Sequence, residues 1–379
     1  MKKNDSNCWP TEAQFLLLQS ALLESEKAAI AWKEYCAFSD LTKVSYVETT
    51  FFPLVFQNVG KPSFELLASH EMQVCKSVYR HSWAANHLRL NKIFKVIQLL
   101  QEAGFSICLL KGAAMITAYY KNPGLRIIGD VDILIPRDQI KEAVALLLKL
   151  GWSLISNKKT LDVLLNMIHA VTLTNAAGDQ IDLHWTIFSE SIFDEKLRHL
   201  IVSSEEIKSS GMPCTVFVLS PEDHLIHTLY HGLKYSEVPL IRWIADAVTI
   251  IKNTPYFNWV YFLAQASTAG ITFVMQQGIV YLEGQSFIAV PEFVSHYFLT
   301  YCPSEDEIKY FKVFAKPLTG LKEFIIYCWY MHKKKSDSKN RFILLMTLPQ
   351  SLKQQRNIGW CKLFFLVVKK SILPAIPGE

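Results

Sequence analysis

No two cysteines stand at the spacing of a redox or zinc motif. The eight present, Cys8, Cys36, Cys75, Cys108, Cys214, Cys302, Cys328 and Cys361, are scattered. None forms Cys-x-x-Cys, and none lies at zinc-like spacing from a histidine. That argues against a zinc ribbon or a dithiol redox centre and predicts reduced thiols in a cytoplasmic protein. Long apolar runs are missing too. A membrane-spanning helix needs about 18 such residues, and the best stretch, Leu363 to Ile376, is cut by Lys369, Lys370 and Pro374. Lys2 and Lys3 have no apolar segment behind them, so neither a signal peptide nor a transmembrane segment is expected. Excess charge of one sign is modest: 39 basic residues against 34 acidic ones leave +5. This suits an anionic small substrate and gives no reason to expect a specific nucleic-acid partner. Internal repeats and low-complexity tracts are also lacking.

What the chain does have is core. Half of its 379 residues are hydrophobic and 12% are aromatic, enough for two or three folded units. Residues 11 to 101 read as helical: Thr11, Glu12 and Gln14 after Pro10 form a helix start, and a long amphipathic pattern runs from about Glu71 to Glu102. The period then changes. Phe105 to Lys111 is a short apolar strand, Gly112 to about Lys121 a helix, and Asn122-Pro123-Gly124 a turn. Asp138 to Leu150 is an amphipathic helix closed by Gly151, and Leu161 to Met167 reads as helical. His169–Thr174 and Ile181–Trp185 flank a Gly178 turn as a hairpin, and Cys214 to Leu219 is a further strand. Ser220-Pro221-Glu222-Asp223 then starts a helical region that reaches about residue 330. Lys333, Lys334, Lys335, Lys339 and Arg341 open a basic, irregular end. A last helix is expected after Trp360. The expected fold is α+β: a small mixed β-sheet core with flanking helices and a C-terminal helical domain. Its divisions are 1–80 (N-terminal helical segment), 81–220 (core), 221–330 (helical acceptor domain) and 331–379 (basic extension).

The chemistry centres on Gly129-Asp130-Val131-Asp132-Ile133-Leu134-Ile135. On a strand, Asp130 and Asp132 share one face while Val131 and Ile133 face a core. Two adjacent carboxylates repel, and a divalent cation such as Mg²⁺ is the simplest relief; the plainer reading is a solvated pair at a strand end. Two further features lie in order around it. At Lys111-Gly112-Ala113 a strand gives way to a helix, where small residues and free N–H groups admit a phosphate. Asp182, on a later strand, can complete a three-carboxylate, two-metal site or act as general base. Such a site suits nucleotidyl transfer, which needs alignment and positive charge.

Together these motifs resemble the bacterial uncharacterised nucleotidyltransferase family of the polymerase-β-like superfamily. The resemblance is carried by Leu110-Lys111-Gly112-Ala113-Ala114, Gly124-Leu125-Arg126, Asp130-Val131-Asp132-Ile133-Leu134-Ile135 and Ile181-Asp182-Leu183-His184-Trp185, and covers about residues 80 to 250. It implies a nucleotidyltransferase core in which Asp130, Asp132 and Asp182 are the catalytic, metal-binding carboxylates. Two Mg²⁺ ions are expected, with Mn²⁺ as the alternative. Lys111, Gly112, Ala113 and Arg126 are the nucleotide-binding residues that follow. Ala113 stands where many relatives have serine or glycine, so a phosphate-binding hydroxyl is missing there. The implied reaction moves a nucleoside monophosphate from a nucleoside triphosphate to a hydroxyl or phosphate on a small-molecule, peptide or protein acceptor. The alternative is an inactive nucleotide-binding or interaction protein with the same fold.

Several residues have two readings. Lys111 is a phosphate ligand or a solvated strand end. Arg126 neutralises the triphosphate or pairs with Asp130 or Asp132. His184 orients Asp182, touches substrate, or merely bonds to backbone. His224, His227 and His231 lack an HExxH glutamate, so they line the core or face substrate rather than bind zinc. Arg242 and Asp246, four apart on a helix, most often mean a surface ion pair. His184, His231 and Arg242 are the candidate substrate-facing residues.

Overall fold

The computed structural model describes residues 8–61, 68–155, 161, 165, 169–188, 205–207, 214–236 and 241–316. The basic extension, the helix expected after Trp360 and most of the helix expected at Leu161 to Met167 lie outside the described residues.

Among the described residues, α1 (Glu12–Leu22), α2 (Ser25–Phe38), α3 (Tyr46–Thr49) and α4 (Phe52–Val55) come first, and α4 continues as a π-helical turn, Phe56–Gly60. The expected start of α1 is a capping box, in which Thr11 and Gln14 each bond the other's backbone N–H. A long helix, α5 (His70–Glu102), follows, with the Ser69 side chain accepting from the Met72 N–H at its start. Its second half buries Leu90, Ile93, Phe94, Ile97 and Leu100 and exposes Lys92 and Lys95. That is the i, i+3, i+4, i+7 stripe of a helix packed on one side, and each large apolar side chain so buried contributes about 1.5–3 kcal/mol.

The stripe of α5 lies on a seven-stranded mixed sheet. The strands are β1 (Cys108–Leu109), β2 (Val131–Leu134), β3 (Ser153–Leu154), β4 (Ala170–Thr174), β5 (Gln180–His184), β6 (Glu205–Ile207) and β7 (Val216–Val218), in the spatial order β3-β4-β5-β2-β1-β7-β6. β2 pairs antiparallel with β1 and parallel with β5. The expected hairpin is β4–β5. Its turn is closed by the Asn175 side chain, which accepts from the Ala177 and Asp179 N–H groups, and by Gly178 at φ 78°. The strand expected over Phe105–Lys111 is paired only at Cys108–Leu109, because the chain turns into helix α6 (Lys111–Ala114) immediately afterwards. α6 continues as a π-helical turn, Met115–Tyr120.

Alternation along the strands divides the sheet into two faces. Leu109, Val131, Ile133, Val171, Leu173, Ile181 and Leu183 pack against α5 and against α7 (Ile140–Lys149). Cys108 and Leu134 belong to the opposite face and to a second core. That core is formed by α1 to α4 together with α8 (Pro221–Leu233), α9 (Arg242–Lys252), α10 (Trp259–Thr268), α11 (Thr272–Gly284), α12 (Glu292–Thr300) and α13 (Glu305–Phe314). Trp32, Phe51 and Phe52 from the beginning of the chain meet Leu229, Tyr230, Ile244 and Met275 from its later part in this single cluster. Asp132, Asp182 and His184 occupy the face that looks toward this helical layer, by the same alternation. The architecture is the expected α+β one. Among the described residues, no helix is long and apolar enough to cross a membrane.

Candidate active site

Three strands bring the polar residues together. The Leu110 N–H donates to the Asp132 carbonyl at 3.0 Å, which seats the start of α6 beside β2. On the other side of β2, parallel pairing sets Asp132 opposite Asp182 and Leu134 opposite His184. Side chains two apart on one strand share a face, so a single register puts Asp132, Asp182 and His184 side by side. Each offers a ligand atom within 4.8 Å of the others.

Asp132 is the hub. Its Oδ1 lies 2.6 Å from Lys111 Nζ and 2.8 Å from His184 Nε2. Burial would raise its pKa, but the His184 hydrogen bond and the Lys111 ammonium outweigh it and hold the carboxyl well below the usual range. Asp130, half-buried just before β2, behaves oppositely. Burial, then the charges of Asp132 and Asp182, push its pKa up against the pull of Lys111. It is electrostatically coupled to the cluster without being one of the three residues whose ligand atoms converge. Two buried atoms of the cluster, Asp182 Oδ1 and His184 Nδ1, have no hydrogen-bond partner among the described residues.

His184 therefore orients Asp132, and not Asp182 as one sequence reading had it. Lys111 is not simply a solvated strand end: it pairs with Asp132 from a left-handed backbone, φ 44°. Gly112 and Ala113 are buried behind it. A Cβ on Gly112 would meet Ile128 Cγ2 at 2.3 Å, so only glycine lets α6 approach the segment leading into β2.

Arg126 does not pair with Asp130 or Asp132. Its guanidinium grips Asp246 on α9, with Nε 3.1 Å from Oδ1 and Nη2 3.0 Å from Oδ2, and the Tyr120 hydroxyl donates to the same Oδ1 at 2.9 Å. Asp246 is buried, which corrects the expectation of a surface pair with Arg242. Asp246 as the partner of Arg126 is not among the pairings expected from the sequence. The available signal was a lone acid flanked by Trp243 and Ile250, three back and four ahead, on an apolar helix face. Arg242 instead donates to the Thr50 carbonyl and covers the Phe51 ring at 4.9 Å. Its described contacts are with the N-terminal helical segment and not with the acidic cluster.

Along α8, His224 and His227 are buried and His231 reaches solvent. Burial pushes His224 down to about 4. His227 is held low by burial first, with the ammonium of Lys111 acting in the same direction. His231 is exposed and lies close enough to Lys111 and Asp132 to interact with them electrostatically. A separate cavity of about 950 Å³, lined by residues that include Phe94, Tyr119, Glu205, Glu222 and Tyr256, contains none of the acidic cluster.

No curated protein matches this sequence. Among solved structures, the chain is similar to an antigenic nucleotidyltransferase-like protein from Paracoccidioides brasiliensis, at 15% identity and a TM-score of 0.36, over 55% of this chain and 97% of that one. A family model described as "Uncharacterised nucleotidyltransferase" matches residues 46–283, which span α3 to α11 and include every member of the acidic cluster. That match takes in more than half of the chain, and the protein belongs to the uncharacterised nucleotidyltransferase family.

Proposed function

We propose that the protein transfers a nucleoside monophosphate from a nucleoside triphosphate to a hydroxyl or phosphate of a small-molecule, peptide or protein acceptor, releasing pyrophosphate. One observation supports this above the others. Asp132, Asp182 and His184 converge within 4.8 Å, and Asp182 Oδ1 is buried with no hydrogen-bond partner among the described residues. An unpaired buried carboxylate oxygen is costly, and a divalent cation offsets that cost. The carboxylates suit Mg²⁺, and the imidazole beside them suits Mn²⁺ as well. Asp130 is the further carboxylate available to a second ion. When bound, such a cation neutralises phosphoryl charge and lowers the pKa of an acceptor hydroxyl.

The chain's own residues set the conditions for that chemistry. Asp132 stays ionised because His184 and Lys111 stabilise its charge. His184 and Lys111 also fix its orientation, since both contact the same oxygen. The first N–H groups of α6, at Lys111, Gly112 and Ala113, have no intrahelical acceptor and are left to receive phosphate oxygens. Ala113 contributes only its backbone, so the positive charge falls to Lys111. Helices α8 and α9 form the far wall of the site, where His231 offers an accessible imidazole to the acceptor.

Pyrophosphate release with a panel of nucleoside triphosphates and a cell extract tests the proposal. Release by the wild type and none by Asp182→Asn supports it. Nucleotide binding without release favours the inactive-binder reading. Equal binding of Mg-ATP by wild type and by Asp130→Asn/Asp132→Asn in calorimetry overturns the metal-dependent site.

A further inference from the structure

Lys111 occupies an unusual position on two counts. Its backbone lies in the left-handed region at φ 44°, which glycine, asparagine and aspartate enter far more readily than lysine. The glycine next to it does not take up that strain: Gly112 is required by its contact with Ile128. In this conformation the Lys111 ammonium lies 2.6 Å from Asp132 Oδ1, on the oxygen that His184 also contacts, and its side chain remains 27% exposed. Strain held by a charged residue at a cluster of ligand atoms points to a role in that cluster.

We propose that Lys111 is a built-in competitor of the divalent cation: the cation must displace its ammonium from Asp132 Oδ1, and the released ammonium then pairs with the phosphates of the bound nucleotide. The inference rests on the metal-dependent reading above and adds to it an order of loading. A cation arriving alone meets a positive charge on its own ligand and must break that ion pair with nothing to replace it. A cation arriving with a triphosphate brings a new partner for Lys111. Lys111 therefore couples the two ligands, and the coupling is reciprocal: nucleotide strengthens cation binding by the factor by which the cation strengthens nucleotide binding. The exposure of Lys111 gives its side chain a route out, whereas His184, at 3% exposure, is held in place.

The test uses the full chain, with Mn²⁺ alone as the probe, followed by electron paramagnetic resonance of the free ion. The wild type is compared with Lys111→Met, which removes the charge and keeps the length, and with Lys111→Gly, which removes the charge and relaxes the left-handed backbone. The glycine variant keeps the test decisive if the methionine variant folds poorly. The expected result is that both variants bind Mn²⁺ about tenfold more tightly than wild type. A non-hydrolysable triphosphate should then enhance Mn²⁺ binding strongly in the wild type and little in the variants. Unchanged or weaker Mn²⁺ binding by the variants, with the wild type binding normally, overturns the role of Lys111 and leaves the metal site standing. Failure of the folded wild type and both variants to bind Mn²⁺, with or without nucleotide, overturns the metal-dependent reading and this inference together.

Discussion

Asp132 on β2 and Asp182 on β5 are direct partners in a parallel ladder, although α7, β3 and β4 lie between them in the chain. The pairing gives two carboxylates on one sheet face very different environments. Asp132 has a lysine and a histidine on one oxygen, while Asp182 has a buried oxygen with no partner among the described residues.

That difference separates the effects of two otherwise similar substitutions. Asp182→Asn removes a poorly compensated charge, so it should abolish pyrophosphate release while leaving stability within about 0.5 kcal/mol of wild type or above it. Asp132→Asn should abolish release and also destabilise by about 2 kcal/mol, because the buried His184 loses a charged partner. Urea unfolding at neutral pH, run beside the activity assay, measures both.

His224 gives the fold an acid-sensitive point. It is fully buried, neither ring nitrogen has a partner among the described residues, and its pKa falls from 6.5 to about 4, chiefly through burial. Below about pH 6.5 the unfolded chain takes up a proton that the folded chain refuses until about pH 4. Stability is therefore lost as pH falls through this window, by on the order of 3 kcal/mol for this residue. His224→Leu should flatten that part of the stability–pH curve and hold or raise stability at pH 7, since an apolar side chain leaves no unpaired nitrogen. Unfolding curves between pH 4 and 8 check both effects.

Asp246 ties the segment leading into β2 to the helical layer through Arg126 and Tyr120. Asp246→Ala leaves the largely buried Arg126 guanidinium unpaired and should cost about 3–5 kcal/mol. Replacing Arg126 by methionine as well should recover part of that loss, because no unpaired charge then remains. Thermal unfolding of the single and double variants shows whether it does.

Gly112 is constrained by contact. Gly112→Ala sets a methyl group against Ile128 Cγ2 and should destabilise by about 1–3 kcal/mol. In an Ile128→Ala background the clash disappears and the same substitution should cost markedly less. A double-mutant cycle in denaturant measures the coupling.

Much of this arrangement can be read along the chain. The Asp130/Asp132 stretch, the Lys111-Gly112 turn and the Asp182–His184 strand carry local signals: period-two alternation, a change from strand to helix, and a Gly-containing hairpin. Short-range sterics and hydrogen bonding enforce such patterns, so they survive in a one-dimensional reading. The helix starts at Thr11 and Ser220 were legible for the same reason, since a cap involves residues three apart. Pairings between distant segments were not. Arg126 could be matched to any nearby acid, and the sequence nominated Asp130 or Asp132; the choice of Asp246 depends on where α9 docks.

The sequence by itself determined most of the helices, the β2 strand, the β4–β5 hairpin and the face each strand presents, because alternation and capping act over a few bonds; the short strands β3 and β6 were outside its expectations. Tertiary structure alone decided that Lys111 and His184 share one oxygen of Asp132, that Asp130 stands outside the converging trio, and that Arg126 belongs to α9. The reason is physical: the energy of a charge depends on its partners and its burial, and both are set by the register of β2 against β5 and by the packing of the helical layer.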